Sequence, residues 1–173
     1  MVIKLIGALM VIGATGGFGL MVSSNYRRRV TELRLLRSGL QMLETEIVYA
    51  STPLPEALRR VASRVAPDVG RFFGEAASLW ERPDGDPGQA IWFEALSKYL
   101  RSSALMPEDA EVLKALGASL GVSDKVDQEK NLALAKKQLE EQEQIAEAER
   151  SRYERVWRTL GFLVGATIVL AMI

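Results

Sequence analysis

Any chemistry in this chain would have to run on carboxylates and amines. Its 173 residues hold 22 Asp and Glu and 22 Lys and Arg, but no histidine and no cysteine. Without imidazole or thiol there is no Ser-His-Asp or Cys-His nucleophile, no thiolate or imidazole zinc site and no histidine proton relay. The one glycine-rich stretch, Gly13 to Gly19, lacks the Gly-Lys-Ser/Thr ending of a nucleotide loop and lies inside an apolar run. An enzyme here could only be a carboxylate pocket in a helical domain. The expectation is therefore a noncatalytic chain that holds no cofactor and no metal. A formal net charge of zero gives none of the electrostatic footprint that nucleic acid requires. The lack of cysteine excludes disulfide staples and fits a reducing compartment.

The elements that would position these side chains are read from hydropathy. Leu5 to Val22 contains no charged residue and neither does Leu160 to Ile173, while everything between is polar or amphipathic. About 20 apolar residues of helix cross a hydrocarbon core of roughly 30 Å. The first run is long enough, and the second reaches by recruiting Val156, Trp157 and a snorkelling Arg158. The expected organisation is a transmembrane helix over 1–22, a cytoplasmic helical bundle over 23–155 and a second transmembrane helix over 156–173. Membrane lipid is thus an expected partner.

Positive charges fix the orientation, because Lys and Arg beside a span resist translocation. Arg27, Arg28, Arg29, Arg34 and Arg37 follow the first span, and Arg150, Arg152, Arg155 and Arg158 precede the second; Lys4 is the only basic side chain on the far flanks. The middle of the chain should stay in the cytoplasm. A cleaved signal peptide would carry its charges before the apolar stretch, and here they come after it. Besides glycine and apolar residues the two spans contain only Thr15 and Thr167, so one copy lacks the polar lining of a pore.

Between the spans the apolar residues recur at helical spacing. Leu33, Leu36, Leu40, Leu43 and Ile47 form a seam that continues the first span as one helix to about Tyr49. Pro53 and Pro55 end it and open a second helix with Leu58, Val61, Ala62 and Val65 on its inner face. A third, near Asp68 to Glu81, offers Val69, Phe72, Phe73 and Ala76. The loop Arg82 to Gly88 then leads to a fourth, from about Gln89, with Phe93, Leu96 and Leu100 on one side. Pro107 opens a fifth, with Glu108 and Asp109 at the positive end of its dipole and a face of Val112, Leu113, Leu116 and Leu120. Gly121 reads as a C-cap and Ser123 as the N-cap of a sixth. That sixth helix meets no proline, and no glycine until Gly161, so it should run unbroken into the second span. Leu132, Ala135, Leu139, Ala146 and Tyr153 form its stripe. Glu140, Glu141, Glu143, Glu147 and Glu149 crowd its other sides, as a solvated face interleaved with basic residues or as an acidic docking surface.

Two stretches carry a resemblance. Leu43 to Leu58, reading LETEIVYASTPLPEAL, and Leu120 to Gln128, reading LGVSDKVDQ, resemble the stage III sporulation protein AB family of endospore-forming bacteria, and length and terminal spans agree over the whole chain. Lys125 stands where the family pattern leads one to expect arginine. The family is similar to the cytoplasmic six-helix domain of inner-membrane platform proteins of type II secretion and type IV pilus machines. The resemblance implies an all-α six-helix bundle whose first and last helices continue into the membrane. It also implies a platform for the channel between mother cell and forespore, seated in the outer forespore membrane. Its implied partners are a secretion-type ATPase, stage III sporulation protein AA, together with other channel subunits and a second copy of itself. A membrane-anchored adaptor of another secretion or pilus-like assembly is the alternative.

Within the resembling motifs four positions stand out. Glu46 and Tyr49 lie three apart on one helix face, and Asp124 and Gln128 lie four apart at the start of the sixth helix. They are expected to form a polar latch between first and sixth helices, or else a contact with a partner. In the spans, Gly13 with Gly17 and Gly161 with Gly165 have the four-residue spacing that lets transmembrane helices approach closely.

Overall fold

The computed structural model describes residues 24–81, 87–120 and 125–172; at 125, 154, 155 and 157–172 it describes the backbone alone. These residues form six helices and no strand. Helix α1 covers residues 24–49, α-helical over 24–44 and closing in a π turn at Thr45–Tyr49. It is followed by α2 (Leu54–Arg64), α3 (Pro67–Trp80), α4 (Gly88–Leu100), α5 (Pro107–Gly117) and α6 (Lys125–Met172). Two compact units result, one of Arg29–Gln144 and one that joins Met1–Arg28 to Ile145–Ile173.

Proline sets three of the helix starts. Pro55, Pro67 and Pro107 occupy first turns of α2, α3 and α5, where a missing N–H costs nothing and a fixed φ suits the helix. Asp109 completes the start of α5, its Oδ2 accepting the Met106 backbone N–H at 2.8 Å.

In the Arg29–Gln144 unit α1 lies at the centre. Leu33, Leu36, Leu40 and Leu43 are inaccessible and Ile47 is buried, as the seam predicted, and Val30 extends the buried face one turn earlier. Consecutive helices α2 with α3, α3 with α4 and α4 with α5 pack on one another. Gly39 lets α3 come close to α1: a Cβ there would lie 2.6 Å from the Phe73 ring. That contact accounts for a residue which, in the middle of a helix, costs about 1 kcal/mol of propensity relative to alanine. Phe73 and Phe72 lie 5.1 Å apart, and Phe72 meets Trp92 edge-on at 4.8 Å. Leu132, Ala135 and Leu139 bring α6 onto this core.

Two expectations need correction. The buried side of α4 is Ile91, Trp92, Ala95, Leu96 and Tyr99, while Phe93 and Leu100 are only half-buried. The rotation follows the largest side chain, since Trp92 buries both its ring and its N–H. Helix α5 closes at Gly117, with Leu116 O accepting the N–H groups of Ser119 (3.0 Å) and Leu120 (3.2 Å); the expected caps Gly121 and Ser123 lie outside the described residues. The loop residues 82–86 also lie outside them.

In the second unit Tyr26 of α1 stacks on Tyr153 of α6, ring centroids 4.3 Å apart and planes 20° apart. Helix α6 is continuous to Met172. Among the described residues no helix is long and apolar enough to cross a membrane. The expected first span, 1–22, lies outside the described residues, and 157–172 are described as helical backbone only.

Candidate functional site

Carboxylates staked around α1 organise the polar part of the Arg29–Gln144 unit. At its start, Arg29 forms a two-pronged pair with Asp109 of α5: Nε donates to Oδ2 at 2.8 Å and Nη2 to Oδ1 at 2.9 Å. Both side chains are buried, at 3% and 0% exposure. Nη2 also donates to Gln142 Oε1 of α6 at 3.3 Å. One turn on, buried Glu32 accepts the Tyr99 hydroxyl (3.1 Å) and the Ala104 backbone N–H (3.0 Å).

At the far end of α1 the expected pair separates. Glu46 is buried at 7% exposure, whereas Tyr49 is 75% exposed. The π turn explains this: Ala50 N–H reaches Thr45 O at 3.1 Å and Thr52 N–H reaches Glu46 O at 2.8 Å, so the last turn is wider than an α turn and residues three apart no longer share a face. Ser51 follows at φ 53°, the left-handed region that non-glycine residues visit rarely. The Glu46 carboxylate accepts Thr52 Oγ1 at 3.0 Å, Arg60 Nη1 at 2.8 Å and Arg64 Nη1 at 3.2 Å. These side-chain bonds lead to α2 and to Thr52 just before it, not to α6. Asp124 lies outside the described residues, and Gln128 is half-buried on α6.

Helices α1 and α6 are nonetheless latched, by residues other than those expected. Lys136 bridges Glu44 and Gln41. Arg34 pairs with Glu143 at 2.9 Å, and Arg37 with Glu140 at 3.0 Å and Glu143 at 3.3 Å. Two of the α6 acids thus have their basic partners on α1 of the same chain, which favours the interleaved reading of that stripe. The cleft beside this latch, about 530 Å³, is lined by Arg34, Arg37, Ser38, Gln41, Ala133, Lys136, Lys137 and Glu140.

Sequence reasoning missed Arg29, Glu32, Gln142 and Trp92. Arg29 was indistinguishable from the topology-setting arginines on either side of it. A signal was available for Asp109, since an acid three residues after a helix N-cap serves a capping box as well as a dipole. Gly161 and Gly165 lie on α6, and Gly13 and Gly17 fall outside the described residues.

The hydrogen bond from Thr52, aided by the Arg60 and Arg64 guanidiniums and opposed by desolvation, holds the Glu46 carboxyl below the usual glutamate range. A lowered folded-state value means that ionised Glu46 stabilises the fold above its ordinary titration range and ceases to do so as pH falls through the lowered value. On acidification below about pH 4 the melting temperature of the native chain should therefore fall more steeply than that of Glu46→Gln. Parallel curves would remove this linkage.

Comparison with known proteins places the chain among sporulation proteins. The family described as stage III sporulation protein AB matches residues 4–173. A Bacillus subtilis (strain 168) protein described as stage III sporulation protein AB is 33% identical over 170 residues, which are 98% of this chain and 99% of that one. A solved structure of stage III sporulation protein AB superposes with a TM-score of 0.67 at 33% identity, covering 72% of this chain and 98% of the solved one.

Proposed function

The chain belongs to the stage III sporulation protein AB family, and from that membership we propose that it is an integral-membrane platform of the sporulation channel, noncatalytic and assembled with a motor ATPase. On this reading residues 1–22 and 156–173 lie in the mother-cell, outer forespore membrane and the bundle between them faces the cytoplasm. The carrying observation is the double attachment of α1 to α6, through Arg29 and Gln142 and through the Arg34, Arg37 and Lys136 pairs. Within the Arg29–Gln144 unit these bonds hold α1 and α6 in one register. Gly13 with Gly17 and Gly161 with Gly165 would let the spans approach closely.

Tyr49 is the residue we assign to partner contact, because an exposed aromatic fixed at the end of a helix resembles the anchors that dominate interfaces. Glu46 holds the turn that presents it. Asp124 and Gln128 remain candidates for partner contact. The test is co-purification of the full-length chain with the secretion-type ATPase. The complex should elute as one species with an altered ATPase rate, and Tyr49→Ala should weaken binding about tenfold or more without moving the melting temperature. Independent elution with an unchanged rate would reject the docking role.

A further inference from the structure

Each wall of the cleft between α1 and α6 is a stripe at i, i+3, i+4 and i+7, beginning at Arg34 on α1 and at Ala133 on α6. The trough therefore runs along both helices for roughly 10 Å. Both walls belong to the Arg29–Gln144 unit. The lining carries four cations, Arg34, Arg37, Lys136 and Lys137, and a single acid, Glu140.

Three of the four cations are paired, and the pairing aims them. Glu44 and Glu143, which hold Lys136 and Arg34, do not line the cleft; Glu44 is buried and Glu143 nearly so. The acids thus stand behind the wall and the cations in front of it. Arg34, 62% exposed, spends only its Nε on Glu143, and its two Nη groups bond to nothing among the described residues. Lys137 is exposed, and its ammonium, like the Ser38 hydroxyl, has no partner among them. A guanidinium held by one acid with N–H groups to spare is preorganised to receive a second.

The lining offers no aromatic or large apolar side chain on which the organic body of a cofactor could lie, so recognition there is by charge. One turn before Lys137 on α6, at the rim, Leu134 is 55% exposed. An apolar side chain beside a row of donors suits a protein segment with carboxylates on one edge and an apolar residue on the next, and offers nothing to a free phosphate.

We propose that this cleft is a docking groove for an acidic amphipathic segment of a partner protein. Its carboxylates meet the Arg34 Nη groups, Ser38 and Lys137, and its apolar side chain covers Leu134. The groove is separate from the Tyr49 contact and needs neither that assignment nor the membrane reading.

The probe is a fluorescein-labelled helical peptide of about 14 residues, or four turns, with glutamates at i, i+3, i+4 and i+7 and leucines along one side of them. It would be titrated with the full-length chain in detergent micelles, against empty micelles, and followed by anisotropy. It should bind, a peptide with lysine for every glutamate should not, and roughly 1 M salt, where the screening length is near 3 Å, should weaken it. Lys137→Glu should weaken binding about tenfold and Leu134→Ser about fivefold. Neither should move the melting temperature by more than about 2 °C. Glu140→Gln removes the one acid of the lining and should tighten binding about threefold, a gain that a misfolded chain cannot give. No binding, equal binding of the two peptides, or an affinity that Lys137→Glu leaves alone would overturn the groove. Displacement of the peptide by equimolar inorganic pyrophosphate, with Leu134→Ser without effect, would overturn it in favour of a phosphate site.

Discussion

Asp109→Ala is expected to destabilise the helical unit by about 3–5 kcal/mol, the cost of leaving a buried charge without its partner. The carboxylate is fully enclosed and has two duties, accepting both prongs of Arg29 and the Met106 N–H that opens α5. Removing it leaves the Arg29 guanidinium, at 3% exposure, without the carboxylate that both its prongs reach, while Gln142 Oε1 stays at 3.3 Å. Asp109→Asn keeps the shape and the cap while removing the charge, so it should fall between the native chain and the alanine variant. Urea unfolding of the full-length chain followed by circular dichroism measures both. A loss under 1 kcal/mol for the alanine variant would mean that water reaches Arg29 and the pair is not closed.

Trp92→Ala should cost a similar amount, about 3–5 kcal/mol, by opening a cavity at the meeting of α3, α4 and α5. Trp92 touches Phe72 edge-on, and its Nε1 donates to Leu113 O at 2.8 Å. The backbone is shaped to receive it. A Cβ on Gly117 would come within 2.1 Å of Trp92 Cδ1, inside any tolerable contact. Gly117→Ala is therefore an overpacking change worth about 1–3 kcal/mol, because the ring cannot move without breaking its hydrogen bond. In the Trp92→Ala background the added methyl meets no ring, so the two changes together should cost clearly less than their sum. Additive losses would show that Gly117 and Trp92 do not compete for the same space.

The element order was legible because prolines and a period near 3.6 both speak through local sequence. Pro53, Pro55 and Pro107 placed helix starts within a residue or two, and the leucine seam of α1 identified the buried face of the central helix. The polar framework was hidden because it depends on separations that local pattern does not encode. Arg29 meets Asp109 across 80 residues and Glu32 meets Tyr99 across 67. The α4 face was misjudged for a related reason: Phe93 and Trp92 are adjacent in sequence, and only the Gly117 recess decides which ring is taken inside. Glu46 and Tyr49 failed as a pair because a π turn changes the angular step exactly where an α period was assumed. Such a turn carries no composition signal in TEIVY.

The position of α1 at the middle of the bundle also sets when it can be finished. Its links to α6 span 92 residues from Glu44 to Lys136, 109 from Arg34 to Glu143 and 113 from Arg29 to Gln142. Synthesis runs from the N-terminus, so the leucine seam leaves the ribosome long before the helix that shields it, and most of the chain must be made before the first helix is enclosed. Maturation of this protein is gated by completion of its C-terminal third, and any pause in translation before Lys136 prolongs the interval in which a fully apolar face stands open to chaperones and to other nascent copies.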